Sequence, residues 1–562
     1  MKSKKIISSA LSVCLLATTA ISVGCGPTET IQDGKTVNVA MANAGYGKAW
    51  IMELKEKFEA IYAEEGYKIN ITTPREDLVN ETALSEMRMD YADTGIDLYF
   101  TAGVYVPDVL DETFGACVQD LNDVYNEPAI RFDGTEEEVL IKDKAKDIDK
   151  YVMSGGNYYN YYWFATPCGL VANSKVLSKY GIEKMPNTTD EMFEIYDAIY
   201  FGDASKNLKP SLKSNVYPVV WAGENAYGYT FQSLYTHMAQ MLGNEEWEKL
   251  FTLDYLLEGD NLATGYTMLD SLDFNEVLEV FAQQFDISYS VPGSQTQRHD
   301  MANSKIVTGS AAFMNNGEYF FNEVKSNFSG YLNDVRFIRT PVISALAEKL
   351  NLGGASVSAE TRDDILSYMI DLIDAGDSLA DIQSKTQTQF SITLTAEQVG
   401  RVHEARKIQF RSLQADTYIA KDSPVGDIAK LFLRMLASDD AASLMAKYGM
   451  GSCYADAELP GNQYQFLKDA HEMIRTAKNF ITLIPFPNSV RDRMHHSILF
   501  GYDASFVTIL NAEVGIAKGP DGSVSADALR ARDYQAIAET YMNKIRNTGK
   551  TNWSTYLQRI GR

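Results

Sequence analysis

The chain has 562 residues, 45% of them hydrophobic and 11% aromatic, with a formal net charge of −24. That length exceeds what one hydrophobic core supports, so two or more lobes are expected. The acidity argues against nucleic acid as a partner, because phosphate binding needs clustered Lys and Arg; otherwise it is a statement about solubility.

The N-terminus carries Lys2, Lys4 and Lys5, then an apolar and small-residue run over 6–21, then Ser22-Val23-Gly24-Cys25 and a polar stretch. Residues 1–24 read as a secretory signal, too short and wrongly flanked for a permanent span. Gly24-Cys25 resembles the lipobox of bacterial lipoproteins, with Ser22 where Leu is usual. That implies a diacylated Cys25 as lipid anchor and residues 25–35 as the lipid-proximal linker. The plain alternative is secretion with Cys25 an incidental thiol. Cys117, Cys168 and Cys453 remain in the exported body. Their spacing suits no zinc site, which leaves one disulfide or buried free thiols.

Residues 35–41 (KTVNVAM) alternate like a strand, and 43–47 form a loop. The helix from Lys48 sets Ile51, Leu54, Phe58, Ile61 and Tyr62 on one face, with Gly66 as its stop. Residues 68–72 and 96–100 are further strands, with a helix over 81–91 between them. Strand and helix in alternation predict parallel pairing with right-handed crossovers. Ligands of such sheets sit beyond the C-terminal strand ends, which puts 43–47 and 101–105 on one rim.

Residues 158–173 (YYNYYWFATPCGLVAN) join an aromatic flank to an apolar strand interrupted by Pro167. A proline argues against a central ladder position and suits a strand passing from one lobe to the next. A core strand with an aromatic flank is the plain alternative. Next come a capping box at Thr188-Thr189-Asp190-Glu191, a strand over 217–221, a loop over 222–229 and a long helix-rich region. The small apolar run 305–314 leads to Asn316, Glu318 and Tyr319, and 335–341 is another strand. Residues 343–420 read as polar helices. Ser423-Pro424 opens a helix, Ser438 opens a second that stops at Gly449, and a hairpin is expected at 519–523.

Five places carry a family likeness. Gly95-Ile96-Asp97-Leu98 looks like a "pDv" strand, and Phe164-Ala165-Thr166-Pro167-Cys168-Gly169 resembles a "yalPyg" crossing. Asn173 to Leu177, with Gly181 and the 186–191 capping box, resembles "yNkdlfkkaGl…pPkTwdEl". Residues 309–319 resemble "GkaAM…nGpW", and 428–449 resemble "a.eFlkfLlsdeaq…yg". In order and spacing the chain resembles the extracellular solute-binding lipoproteins of carbohydrate ABC transporters, the family that includes maltose-binding protein. Ala172 replaces the usual Tyr before Asn173, and Tyr319 stands where a stacking Trp is common.

The resemblance implies an α/β, two-lobe periplasmic-binding-protein-like fold of type II. Its expected first lobe is 36–165 with 341–452, including 343–420 as a helical elaboration; its second is 166–340 with 453–562. The resemblance further implies a carbohydrate ligand, ABC permease subunits as partners, a lipid-anchored place on the outer face of the bacterial cytoplasmic membrane, a monomer, no cofactor and no catalysis. Sugars suit aromatic platforms flanked by polar groups that fix the hydroxyls. The ligand-binding candidates are Tyr46, Trp50, Gly103, Tyr105, Trp163, Cys168, Trp221, Glu224, Tyr227, Asn316, Glu318, Tyr319 and Gly451. Core packing is the competing reading for Trp50, and hinge packing for Trp163 and Cys168. Trp247 and Trp553 look like helix-packing aromatics. No Walker A, GxSxG or HExxH motif is present. A receptor of the same fold for a peptide or chelated metal, and a glycan-active enzyme or adhesin, stay open.

Overall fold

The computed structural model of the chain describes residues 30–42, 45–72, 74–75, 77–110, 115–144, 152–164, 166–247, 274–412, 415–455, 457–461, 463–476, 479–481 and 524–559. The expected signal, Cys25, and the hairpin at 519–523 lie outside the described residues.

The first sheet opens with β1 (Thr36–Met41), buried along its whole length. It is followed by α1 (Ala49–Ile61), whose Trp50, Ile51, Leu54 and Phe58 turn inward at helical spacing. The strands β2 (Lys68–Ile71) and β3 (Leu98–Thr101) pair with β1 in parallel on its two edges. Burial of β1 on both faces is what helical crossovers impose on a parallel strand. The polar Asn38 in its middle is met by Asp97. The Asp97 carboxylate receives the Asn38 amide (2.8 Å), its side-chain amide (3.1 Å), and the hydroxyls of Tyr91 (2.8 Å) and Ser423 (2.7 Å). Four donors on one buried carboxylate satisfy what burial would otherwise leave costly.

The chain then reaches β4 (Thr166–Asn173), α2 (Thr189–Phe201), β5 (Tyr217–Val219), α3 (Ala226–Leu242), α4 (Asn275–Gln284), α5 (His299–Val307), β6 (Ala311–Gly317), α6 (Phe320–Phe328) and β7 (Val335–Ile338). Three helices follow, α7 (Ala359–Asp374), α8 (Leu379–Phe390) and α9 (Ala396–Lys407). After them come β8 (Ile408–Ser412), β9 (Asp416–Ile419), α10 (Gly426–Leu436), α11 (Asp439–Lys447), α12 (Gln465–Thr476), β10 (Asn479–Ile481) and α13 (Tyr534–Arg559).

The axis of the second sheet is β4. One of its edges takes β6, antiparallel, with Cys168 opposite Gly317. Its other edge is shared end to end: β8 pairs with the first half, Cys168 facing Phe410, and β7 with the second half. A Cβ on Gly169 would stand 2.4 Å from the Ile338 carbonyl oxygen, so glycine is what lets β7 lie that close. Pro167 lies at the strand's start, where β4 pairs with β8 through Arg411, an end position that a residue lacking N–H tolerates.

The first crossing between sheets is where 158–173 predicts it, at the entry to β4. The second is not at 341. The chain returns to the first sheet only between β8 and β9, where β9 pairs antiparallel with β3. Residues 343–407 therefore belong with the second sheet, correcting the expected assignment of the helical elaboration to the first lobe. The physical reason is their apolar faces. Ile365, Met369 and Ile373 of α7 and Val399 and Val402 of α9 share one core with Leu234 of α3, Phe281 of α4 and Phe410 of β8. Trp247 and Trp553 are buried in that same core, as helix-packing aromatics should be. A third crossing follows α11, after Tyr454 in the first-sheet core and before Tyr464, which packs on the second. No disulfide joins Cys117, Cys168 and Cys453 among the described residues.

Candidate functional site

The end of β6 turns into α6 through Gly317, Glu318 and Tyr319. A Cβ on Gly317 would stand 2.3 Å from Tyr319 Cε1, so the ring lies against bare backbone. Tyr319 is partly exposed and packs against the core of the first sheet, although its own strand belongs to the second. Its ring meets Tyr229 of α3 edge-on at 6.4 Å, and Tyr229 stacks on His299 of α5 at 6.3 Å. Burial raises the Tyr319 phenol, so it stays a neutral donor and acceptor.

Behind this pair runs a polar chain. Asn316 gives its side-chain amide to Asn303 (2.9 Å), and Asn303 gives its own to Glu323 of α6 (2.7 Å). Burial raises the Glu323 carboxyl, opposed by the nearby His299 and the Asn303 amide. Glu323 also reaches the opposite lobe: a Cβ on Gly45 would stand 3.2 Å from its Cγ. Gly45 has φ of +80°, a backbone state natural to glycine, and the absent side chain makes room for Glu323. The loop after β1 and the helix after β6 thus meet face to face.

Glu318 is 4% exposed, and its Oε2 has no hydrogen-bond partner among the described residues. Burial alone pushes its carboxyl well above the usual range. Its backbone amide is held by the Pro167 carbonyl (3.1 Å), which ties it to the first crossing. A buried carboxylate oxygen without a partner is costly to the fold, and such groups concentrate where proteins bind or react.

The structure separates the candidates. Tyr46 is 5% exposed, with its ring edge-on to Phe164 (4.8 Å) and Trp163 (6.3 Å), and the half-buried Tyr105 and Tyr319 pack on the same first-sheet core. Gly103 heads the loop that carries Tyr105, and Gly451 is half-buried after α11. Glu224 is exposed on a turn before α3. Tyr227 lies in the first turn of α3, and its side chain is outside the described set. Four candidates are corrected to packing. Trp50 and Trp163 stack on each other at 4.7 Å and 12°, and Phe100 meets both edge-on, so their faces are occupied. Trp221 is buried, with its indole N–H donated to Ser290 (2.8 Å) and Phe285 against the ring. Cys168 is wholly buried in mid-sheet. Asn316 is internal as well, spending its amide on Asn303 and its oxygen on the Gly317 amide (2.7 Å). Tyr229, His299, Asn303 and Glu323 were not read from sequence. Tyr229 sits two residues past Tyr227 in a stretch that reads as loop but is helix, and the other three carry no local motif.

The sequence matches no protein-family model and no curated protein. Solved structures match it in shape. A chitin oligosaccharide binding protein aligns at a TM-score of 0.51 and 10% identity, over 92% of this chain and 99% of that one. Maltose-bound MalE3 of T. maritima aligns at 0.50 and 14%, over 91% and 99%. A probable secreted solute-binding lipoprotein from Streptomyces coelicolor aligns at 0.50 and 12%, over the same shares. The chain has the type II solute-receptor fold. In this fold two lobes, each assembled from discontinuous segments, face one another across a hinge. Here the hinge is the set of crossings at β4, between β8 and β9, and after α11, and the Tyr319 cluster lies beside it.

Proposed function

We propose that the chain is an extracytoplasmic solute-binding protein that captures a carbohydrate, an oligosaccharide, between its lobes and delivers it to an ABC permease. In this reading a diacylated Cys25 holds it at the outer face of the bacterial cytoplasmic membrane, and it works as a monomer without cofactor or turnover. The observation that carries the reading is the setting of Tyr319, a partly exposed ring of one lobe packed against the core of the other. A pyranose has an apolar C–H face that packs on such a ring, while the adjacent polar groups take its hydroxyls. The fold shared with an oligosaccharide-binding and a maltose-bound protein supports the same conclusion.

The proposed contacts are Tyr46, Gly103, Tyr105, Glu224, Tyr227, Glu318, Tyr319 and Gly451, with Tyr229 added. Solute bound to both lobes at once favours the closed arrangement by the contacts the open one lacks. A glycan panel read by thermal shift and calorimetry tests the proposal. Saturable binding of an oligosaccharide with no product released is the expected result. Shifts with peptides and none with sugars would point to a peptide receptor of the same fold, and release of glycan products to an enzyme.

A further inference from the structure

Asp416, the first residue of β9, is wholly buried opposite Thr101 of β3. Its Oδ2 receives the backbone amides of Gly103 (2.9 Å) and Val104 (3.3 Å). Its Oδ1 receives the side-chain amide of Asn160 (2.9 Å), and the Tyr162 side chain is a further hydrogen-bond partner. Asn160 returns the link by accepting the Thr417 amide (3.0 Å), and the Tyr418 hydroxyl donates to the Val104 carbonyl (2.8 Å). One carboxylate therefore joins three segments. They are the turn that presents Tyr105, the stretch entering the first crossing, and the strand leaving the second.

Two backbone N–H groups and a carboxamide N–H all point at this carboxyl. Such a donor set fits the ionised form, since a protonated carboxyl must turn one oxygen from acceptor to donor and lose part of the set. Gly103 has φ of +74°, a backbone state open to glycine that lets the turn aim two successive amides at the carboxylate. We infer that Asp416 is a positioning residue for solute capture, whose carboxylate holds the Gly103 and Val104 amides, just before Tyr105, when ionised and releases them when protonated. Burial pushes this carboxyl up to about 7 against the pull of its donors, so the change of state falls near neutral pH. Of ionisable groups, Tyr162 bonds the carboxyl directly, and Tyr418 on its own strand faces Asp416 together with Asp108, Cys117 and Tyr105. No lysine or arginine is among its main influences.

The role in capture rests on the reading of 103–105 as part of the solute site; the latch itself does not. Amide hydrogen exchange on the full-length protein tests the latch without ligand. After correction for the intrinsic pH dependence of exchange, protection of the Gly103 and Val104 amides should fall about tenfold between about pH 8.5 and about pH 5.5. Asp416→Asn puts an NH₂ among the donors, so it should show the low protection at every pH, with α10 amides unchanged as the check on folding. Constant protection across that range in the wild type overturns the latch, and this arm needs no variant. Where a glycan of the panel binds, its Kd should rise over the same pH interval, and that rise should vanish in Asp416→Asn. A working latch beside a pH-independent Kd overturns the role in capture. If no glycan binds, the carbohydrate reading fails while the exchange data still decide the latch.

Discussion

Tyr319 and Trp163 are similar ring donors with opposite fates. Tyr319 keeps part of its surface open beside the opposite lobe, whereas Trp163 is stacked on Trp50 and 2% exposed. Tyr319→Ala should therefore weaken glycan binding by about tenfold or more, the scale of one aromatic contact, while shifting the melting temperature little. Unchanged affinity by calorimetry would remove Tyr319 from the site. Trp163→Ala should instead cost about 3–5 kcal/mol of stability in denaturant titrations, the range for a buried aromatic truncated in place. Sequence offered both rings as ligand candidates, Trp163 at the crossing and Tyr319 in the "nGpW" region, with hinge packing as the competing reading for Trp163. The difference is made by Trp50, which lies on α1, far away in the chain. Glu318 yields a pH prediction. Its carboxyl is raised in the folded state, so the fold binds a proton there more tightly than the unfolded chain. Its contribution is thus most favourable below the unfolded value of about 4.3 and is lost as pH rises toward the folded value. Glu318→Gln should gain stability relative to the wild type as pH rises from about 4 to about 8, measured by chemical denaturation. A difference independent of pH would show that the carboxyl has a partner after all.

At the scale of elements, local signals held wherever the physics was local. Thr188 accepts the Glu191 amide (3.3 Å) as the capping box requires, and Ser438 accepts that of Ala441 (3.1 Å). The reciprocal half of the first box differs, because Glu191 reaches the Asn187 amide (2.6 Å). Ser423 accepts the Val425 amide (3.3 Å) as a cap would, but it also donates its hydroxyl to Asp97, and α10 itself starts at Gly426. Where partners are distant, the reading failed. The apolar stripe of α7 was visible, but nothing in the stripe says which sheet it covers. The C-terminal helix illustrates the same point. Arg532, just before α13, forms an ion pair with Asp286 just after α4, both side chains at most 5% exposed, and the Tyr534 hydroxyl donates to the same carboxylate (2.8 Å). Removing one member of a buried pair strands the other. Asp286→Ala should cost about 3–5 kcal/mol in denaturant unfolding and loosen α13 first, visible as raised amide exchange over 534–559. A cost below about 1 kcal/mol would mean that the pair is solvated and incidental.

For the whole molecule, the order of strands and helices conveyed the fold class, since alternation and five spaced motifs constrain topology more than any single element. The place of the second crossing did not emerge, because Thr340-Pro341 ends a strand in the way a crossing would. In the proposed function, solute capture is a shift between two arrangements of the lobes. Adding a glycan that binds should reduce the radius of gyration in small-angle scattering, and Tyr319→Ala should need more ligand for the same change. A radius unaffected at saturation would mean that the lobes are already closed without solute, as the contact between Gly45 and Glu323 allows.

The pairing of β3 with β9 also bears on how the chain is made. The Thr101 hydroxyl donates to the Asp416 carbonyl across 315 positions of sequence, so the first sheet stays a strand short until most of the chain has emerged. Such non-local closure slows folding. The strand that carries the chain back to the first sheet is thus also the one whose arrival sets a late step of folding.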